Sequence, residues 1–173
     1  ETAFKNVYVE ENILHEGEAD FVIFNPTKGL LCIEAKAGAV NYEDGYWKYA
    51  SGHIMKHGGP YNQAAGNKWD LLNTVQNSAL KDIVPRCKFL HAVWFPSISK
   101  EKMRGIKFPQ EADRQITLTM EALENPEPYI SAIFAIELEN HIKTDLSSQD
   151  VRRIIREIIC PEFNICLLYT SPS

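Results

Sequence analysis

The sequence predicts an α/β (α+β) domain whose mixed sheet is flanked by helices. Three observations predict it. Two apolar runs, 21–24 and 30–37, flank a short turn. A stretch with helical spacing follows from Pro60, and then a dense apolar run over 88–95. The material beyond that run is mostly helical in pattern.

The elements follow in order. Residues 7–14 alternate weakly and read as an edge strand. Asn25-Pro26-Thr27-Lys28-Gly29 is a turn signal, so the runs around it form a β-hairpin. Phe21, Ile23, Leu31 and Ile33 fall on one face, and Val22, Phe24, Leu30 and Cys32 on the other. Apolar residues on both faces mark strands covered from both sides. Residues 45–50 read as a third strand, and His53 to Gly59 as a polar loop. Pro60 fits the first turn of a helix reaching about residue 80. Residues 88–95 read as a buried strand, 97–115 as irregular, 116–120 as a strand and 128–142 as a helix. Ser147 or Ser148 caps a last helix, 149–159, with Asp150 in its first turn.

The bulk numbers bound the function. The chain has 173 residues, 45% hydrophobic and 24% charged, with a net charge of -5. That size suits one domain with a real core. The acidic balance argues against a module that holds nucleic acid by bulk electrostatics. It leaves room for carboxylates that hold a cation. Cys32, Cys87, Cys160 and Cys166 form no CxxC pair, so reduced thiols in a cytoplasmic protein are expected. No signal peptide and no membrane span are written in the sequence. The chain starts at Glu1, as a fragment would, and 167–173 reads as a non-native tail.

The chemistry gathers at the hairpin's open end. With Thr27 at the centre of the turn, Asp20 lies opposite Glu34 and Glu18 opposite Lys36. Directly opposed residues have Cβ atoms ~4.5–5.5 Å apart on one face. Two facing carboxylates repel unless one is protonated or a cation lies between them. Oxygen donors with open water positions suit magnesium. Such an ion activates water and clamps phosphate oxygens. A lysine two residues on stabilises the charge that develops on phosphorus or helps deprotonate the water. The plain alternative is a solvated hairpin end with an ion pair, and an ExK tripeptide alone carries little weight.

The segment GEADFVIFNPTKGLLCIEAKAG, 17–38, resembles the core of the NERD family, the nuclease-related domains, which are similar to restriction-endonuclease-like PD-(D/E)xK enzymes. PYNQAAGNKWDLL, 60–72, resembles the family's proline-to-glutamine helix start. HAVWFP, 91–96, and 116–134 resemble segments found where this domain precedes a superfamily 1 helicase. The resemblance implies a restriction-endonuclease-like fold and Mg2+-dependent (or Mn2+-dependent) cleavage of DNA. It implies Asp20, Glu34 and the Ala35 carbonyl as metal ligands, Lys36 as catalytic lysine, and Gln63 in contact with the site or substrate. It implies a nuclease domain over 1–145, a helix and linker start over 146–166, and an attached C-terminal helicase as partner. The residue before Asp20 is Ala19 rather than proline, and the family's first helix is expected before residue 1. A non-cleaving DNA-binding or structural module that positions a helicase is the alternative. A hydrolase acting on something other than DNA is a third reading.

Other residues carry two readings each. Glu18 is a partner of the site or a surface acid. Gln63 and Asn67 share a helix face at i,i+4 spacing, and polar residues there are commonly just solvated. His53 and His57 do not make HExxH, and zinc is not expected of them. His91 in an apolar strand reads as a core histidine. Tyr46, Trp47 and Tyr49 either stack on single-stranded bases or pack the third strand. Lys48, Lys56, Lys68, Arg86 and Lys88 form no run. Arg152, Arg153 and Arg156 read as a solvated face or a contact to a following domain.

Overall fold

A computed structural model describes the backbone over 4–10 and 13–159, and the side chains from 19 to 159. The Asn25 carboxamide oxygen accepts from the Thr27 and Lys28 amides at 3.0 and 3.1 Å, and this tightens the turn. Gly29 has a φ of +117°, and a Cβ there would lie 2.4 Å from the Lys88 carbonyl oxygen, so only glycine fits. This turn joins β3 (Phe21–Asn25) to β4 (Gly29–Ala35), antiparallel, with Phe21 opposite Ile33 and Asn25 opposite Gly29. That is the register expected from the sequence. A slip of one residue would exchange the two apolar faces.

Before this hairpin stand β1 (Phe4–Glu10) and β2 (Ile13–Ala19), paired antiparallel. The single strand expected over 7–14 is therefore two strands. The side chain of Glu18 lies outside the described ones. After β4 comes a second hairpin, β5 (Val40–Glu43) and β6 (Tyr46–Tyr49). Asp44 and Gly45 both take positive φ, 53° and 82°, as the tight two-residue turn demands. Helix α1 (Pro60–Gln76) crosses back over the sheet, shorter than the reach to residue 80 expected for it. Then β7 (Phe89–Trp94) enters parallel to β4, and β8 (Thr117–Leu118) parallel to β7. The four-stranded sheet runs β3-β4-β7-β8 and is mixed.

Both sheet faces are covered. On one, Val22, Phe24, Leu30, Cys32 and Phe89 meet Leu71 and Val75 of α1. On the other, Leu31, Ile33, Leu90, Ala92 and Leu118 meet Ile133 and Phe134 of α3 (Pro126–Phe134). Each fully buried aliphatic side chain contributes roughly 1.5–3 kcal/mol. His91 points to the α1 face, and burial pushes its imidazole down to about 4. It is half-buried on that face of the sheet. Between β7 and β8 lies α2 (Lys100–Arg104), capped by Ser99, in a stretch expected to be irregular.

Two further expectations need correction. The helix expected over 128–142 stops at Phe134. The Lys88 ammonium donates to the carbonyls of Phe134 and Ile136, at 2.7 and 2.5 Å, and takes over the helix end. Arg153, expected on a solvated face or at a contact to a following domain, donates to both carboxylate oxygens of Asp82 at 3.0 Å. It lies on α4 (Ser148–Ile154), which continues as a π-helical turn over Ile155–Ile159. Ser147 and Asp150 form the capping box of α4. Among the described residues no helix is long and apolar enough to cross a membrane.

Candidate active site

Along β4 the residues facing α1 are Leu30, Cys32 and then Glu34. The first two are apolar and fully covered. Glu34 is an acid only 7% exposed, at the carboxyl end of the strand. A buried charge without partners would neutralise or break the packing. Glu34 has two partners. Lys36 Nζ donates to Oε1 at 2.5 Å, and Asn67 Nδ2 donates to Oε2 at 3.1 Å. Burial still prevails and raises the Glu34 pKa, while the Lys36 and Asn67 bonds pull it back and the nearby Asp20 charge adds to the rise.

Asp20 sits at the bend just before β3. Its Oδ2 accepts from the Ala35 amide at 2.7 Å, so the side chain reaches across to β4 where the strand pairing has ended. Lys36 follows β4, and its own amide donates to the Trp94 carbonyl at 2.8 Å. That bond carries the β4–β7 pairing one residue further and fixes where the lysine leaves the sheet. Asp20, Glu34 and Lys36 thus meet at one sheet end, as the hairpin register requires.

An open cleft of ≈ 860 Å³ lies over Glu34 and Lys36. One wall is the first turns of α1, with Asn62, Gln63 and Asn67. The other is the end of β6 and the loop after it, with Tyr49, Ile54 and Lys56. Asp20 does not line this cleft. Gln63 does, but its amide donates to the Lys56 carbonyl at 2.8 Å, which secures the loop before α1. Asn67, one helical turn on, is the α1 residue that touches Glu34. The sequence placed Asn67 beside Gln63 on one helix face without giving it a role. The signal was its spacing from Gln63 on a face that also carries Leu71. His53 and His57 are exposed on the loop side of the cleft, with His53 Nδ1 3.0 Å from Ser51 Oγ.

Among the described residues no group of three or more His, Cys, Asp or Glu side chains is arranged to hold a metal. The oxygen donors at the site are two carboxylates, Asp20 and Glu34, and the carbonyl of Ala35, which follows Glu34 in the chain. Such hard donors fit a cation that keeps several of its waters.

Comparison with known proteins gives the chain a family. The model of the family described as NERD, nuclease-related domain, matches residues 1–96. No curated protein and no solved structure matches the chain. The matched span runs through β7 and contains Asp20, Glu34, Ala35, Lys36, Gln63 and Asn67. It covers more than half of the 173 residues. This chain belongs to the NERD, nuclease-related domain, family.

Proposed function

We propose that this domain is a Mg2+-dependent nuclease that hydrolyses DNA phosphodiester bonds through Asp20, Glu34 and Lys36. The observation that carries the reading is Glu34 itself. It is a buried acid with a raised pKa, bonded to a lysine two residues on and close to a second acid, at the floor of an open cleft. Family membership supports a nuclease-related function. The resemblance of 91–96 and 116–134 supports a helicase as covalent partner.

Asp20, Glu34 and the Ala35 carbonyl would hold the ion. When bound, Mg2+ supplies Lewis acidity at the phosphate and makes water a better nucleophile. The chain's own groups account for the rest. In hydrolysis a water oxygen forms a bond to phosphorus, the ester P–O bond breaks, and the water proton ends on the leaving oxygen or on solvent. The Lys36 ammonium lies where it can offset the negative charge that grows on the phosphate. It neutralises Glu34 in this structure, so a cation and Lys36 compete for the same carboxylate. Asn67 holds the other oxygen of Glu34 and limits its rotation.

The test is a cleavage assay on single- and double-stranded DNA with Mg2+, Mn2+ or EDTA, with Lys36→Ala and Asp20→Ala alongside. The expected result is metal-dependent cutting that falls by about 10²–10⁴-fold in either variant. Equal DNA binding by all proteins with no cutting under any metal would replace this reading with a binding module.

A further inference from the structure

The wall of the cleft opposite α1 has a chemistry that the cleavage reaction does not use. Trp47 in β6 is buried at 2% and packs on Tyr42, Tyr61, Phe95 and Phe108, with ring centroids 5.3–6.1 Å apart. A Cβ on Gly59 would lie 2.1 Å from its ring, so the hairpin is keyed against the residue that precedes α1. Tyr49 is two residues on and lies on the same face of the ribbon. Instead of entering the core it lines the cleft, 38% exposed. The following loop folds back on β6. The Tyr49 amide donates to the His53 carbonyl at 2.9 Å, and Ile54 bridges Lys48. This sets Ile54, 56% exposed, into the same wall.

An aromatic ring on a backbone pinned by the following loop, and an exposed aliphatic side chain, therefore line the same open cleft as Glu34 and Lys36. Among the described residues Lys36 and Lys56 are the lysines lining this cleft, and no arginine lines it. A duplex presents one negative charge per ~1.7 Å and is gripped mainly by cations. A wall with one lysine, two exposed histidines, a tyrosine and an isoleucine matches the flat apolar faces of unpaired bases better.

We infer that Tyr49 is a stacking platform for an unpaired nucleobase beside the scissile phosphate, so that the cleft takes single-stranded DNA or a frayed end in preference to intact duplex. This inference rests on the nuclease reading. Tyr49 is a positioning residue for substrate, and Ile54 shields the other edge of the base from water.

The test pairs binding with cutting. Fluorescence anisotropy in EDTA compares a short labelled single strand, its blunt duplex and the duplex with an overhang. Cleavage of the same three is followed in Mg2+. Wild type, Tyr49→Phe and Tyr49→Ala are used, with thermal melts as the folding control. The expected result is tighter binding and faster cutting of the single strand and the overhang. Tyr49→Ala should weaken single-strand binding by about tenfold or more, Tyr49→Phe should retain it, and duplex binding should not change. Equal cutting of strand and duplex, with Tyr49→Ala like wild type, would overturn the inference and leave the nuclease reading standing. Absence of binding and cutting for every DNA would overturn both.

Discussion

Glu34 at the end of β4 and Asp150 in the first turn of α4 are almost equally hidden, at 7% and 5% exposed. Asp150 accepts from Arg86 at 2.9 Å, from Arg153 at 3.4 Å, and from the Ser147 amide and hydroxyl at 2.9 and 2.8 Å. The Arg86 bond leads these in holding its carboxyl well below the usual range. Glu34 has one ammonium and one amide, and burial drives its pKa the other way. Low exposure alone therefore does not decide what an acid is for. How deeply it is embedded and how many donors are aimed at it decide together, and Glu34 is the deeper of the two with fewer donors. A fully satisfied carboxylate fastens α4 to the turn before β7. A partly satisfied one lowers stability and keeps charge available for a ligand.

The comparison breaks most sharply at Glu34. Glu34→Gln should lower cleavage by about 10³-fold or more, since both charge and cation donor are lost. The same variant should melt no lower than wild type at neutral pH, because it removes a charge that burial disfavours. A loss of several kcal/mol in the melt would mean that Glu34 is a structural acid like Asp150. Asp150→Ala is the opposite case. It should cost about 2 kcal/mol in urea denaturation, through the lost cap and the unpaired Arg86. Its cleavage rate per folded molecule should match wild type, and a selective loss of rate would tie α4 to the site.

The pH dependence sharpens the contrast, with smaller effects. Asp150 has a folded pKa below its unfolded one. Its stabilisation is present above about pH 4 and is lost as pH falls through the folded value. Glu34 has a folded pKa above its unfolded one. Its unfavourable contribution is full above the folded value and fades as pH falls towards about 4. Urea denaturation at stepped pH should therefore show the gap between wild type and Glu34→Gln closing on acidification. A gap that stays constant would contradict the raised pKa.

What was legible in the sequence was local. The Asn25 turn and Gly29 fix the β3–β4 register, so the meeting of Asp20, Glu34 and Lys36 followed from side-chain parity alone. The Ser147–Asp150 cap was equally plain, because its partners are three residues apart. Of the β5–β6 hairpin only β6 was read, as a strand over 45–50, and β5 was missed although Asp44-Gly45 is a two-residue turn signal. Its strands are only four residues each and alternate with exposed polar groups. The end of α3 was not legible, since a lysine just before β7 terminates it and no residue of 135–142 announces that. Asn67 and Tyr49 acquired their places from tertiary packing. The spacing of Asn67 and the aromatic composition around Tyr49 were visible, but which face would meet the cleft was not.

The parallel pairing of β4 with β7 also governs how the site comes into being. Leu30 of β4 pairs with Phe89 of β7, so a long stretch of chain must close before the two strands meet. During synthesis the acids and Lys36 leave the ribosome well before Trp94, whose carbonyl fixes the Lys36 backbone. At ~5–20 residues per second the delay lasts seconds. Early in that interval Glu34 lies on an unpaired strand edge, before Asn67 and the cleft wall have emerged. The nascent chain carries the reactive groups but not the enclosure, and the two are joined only when the last strand of the crossover docks.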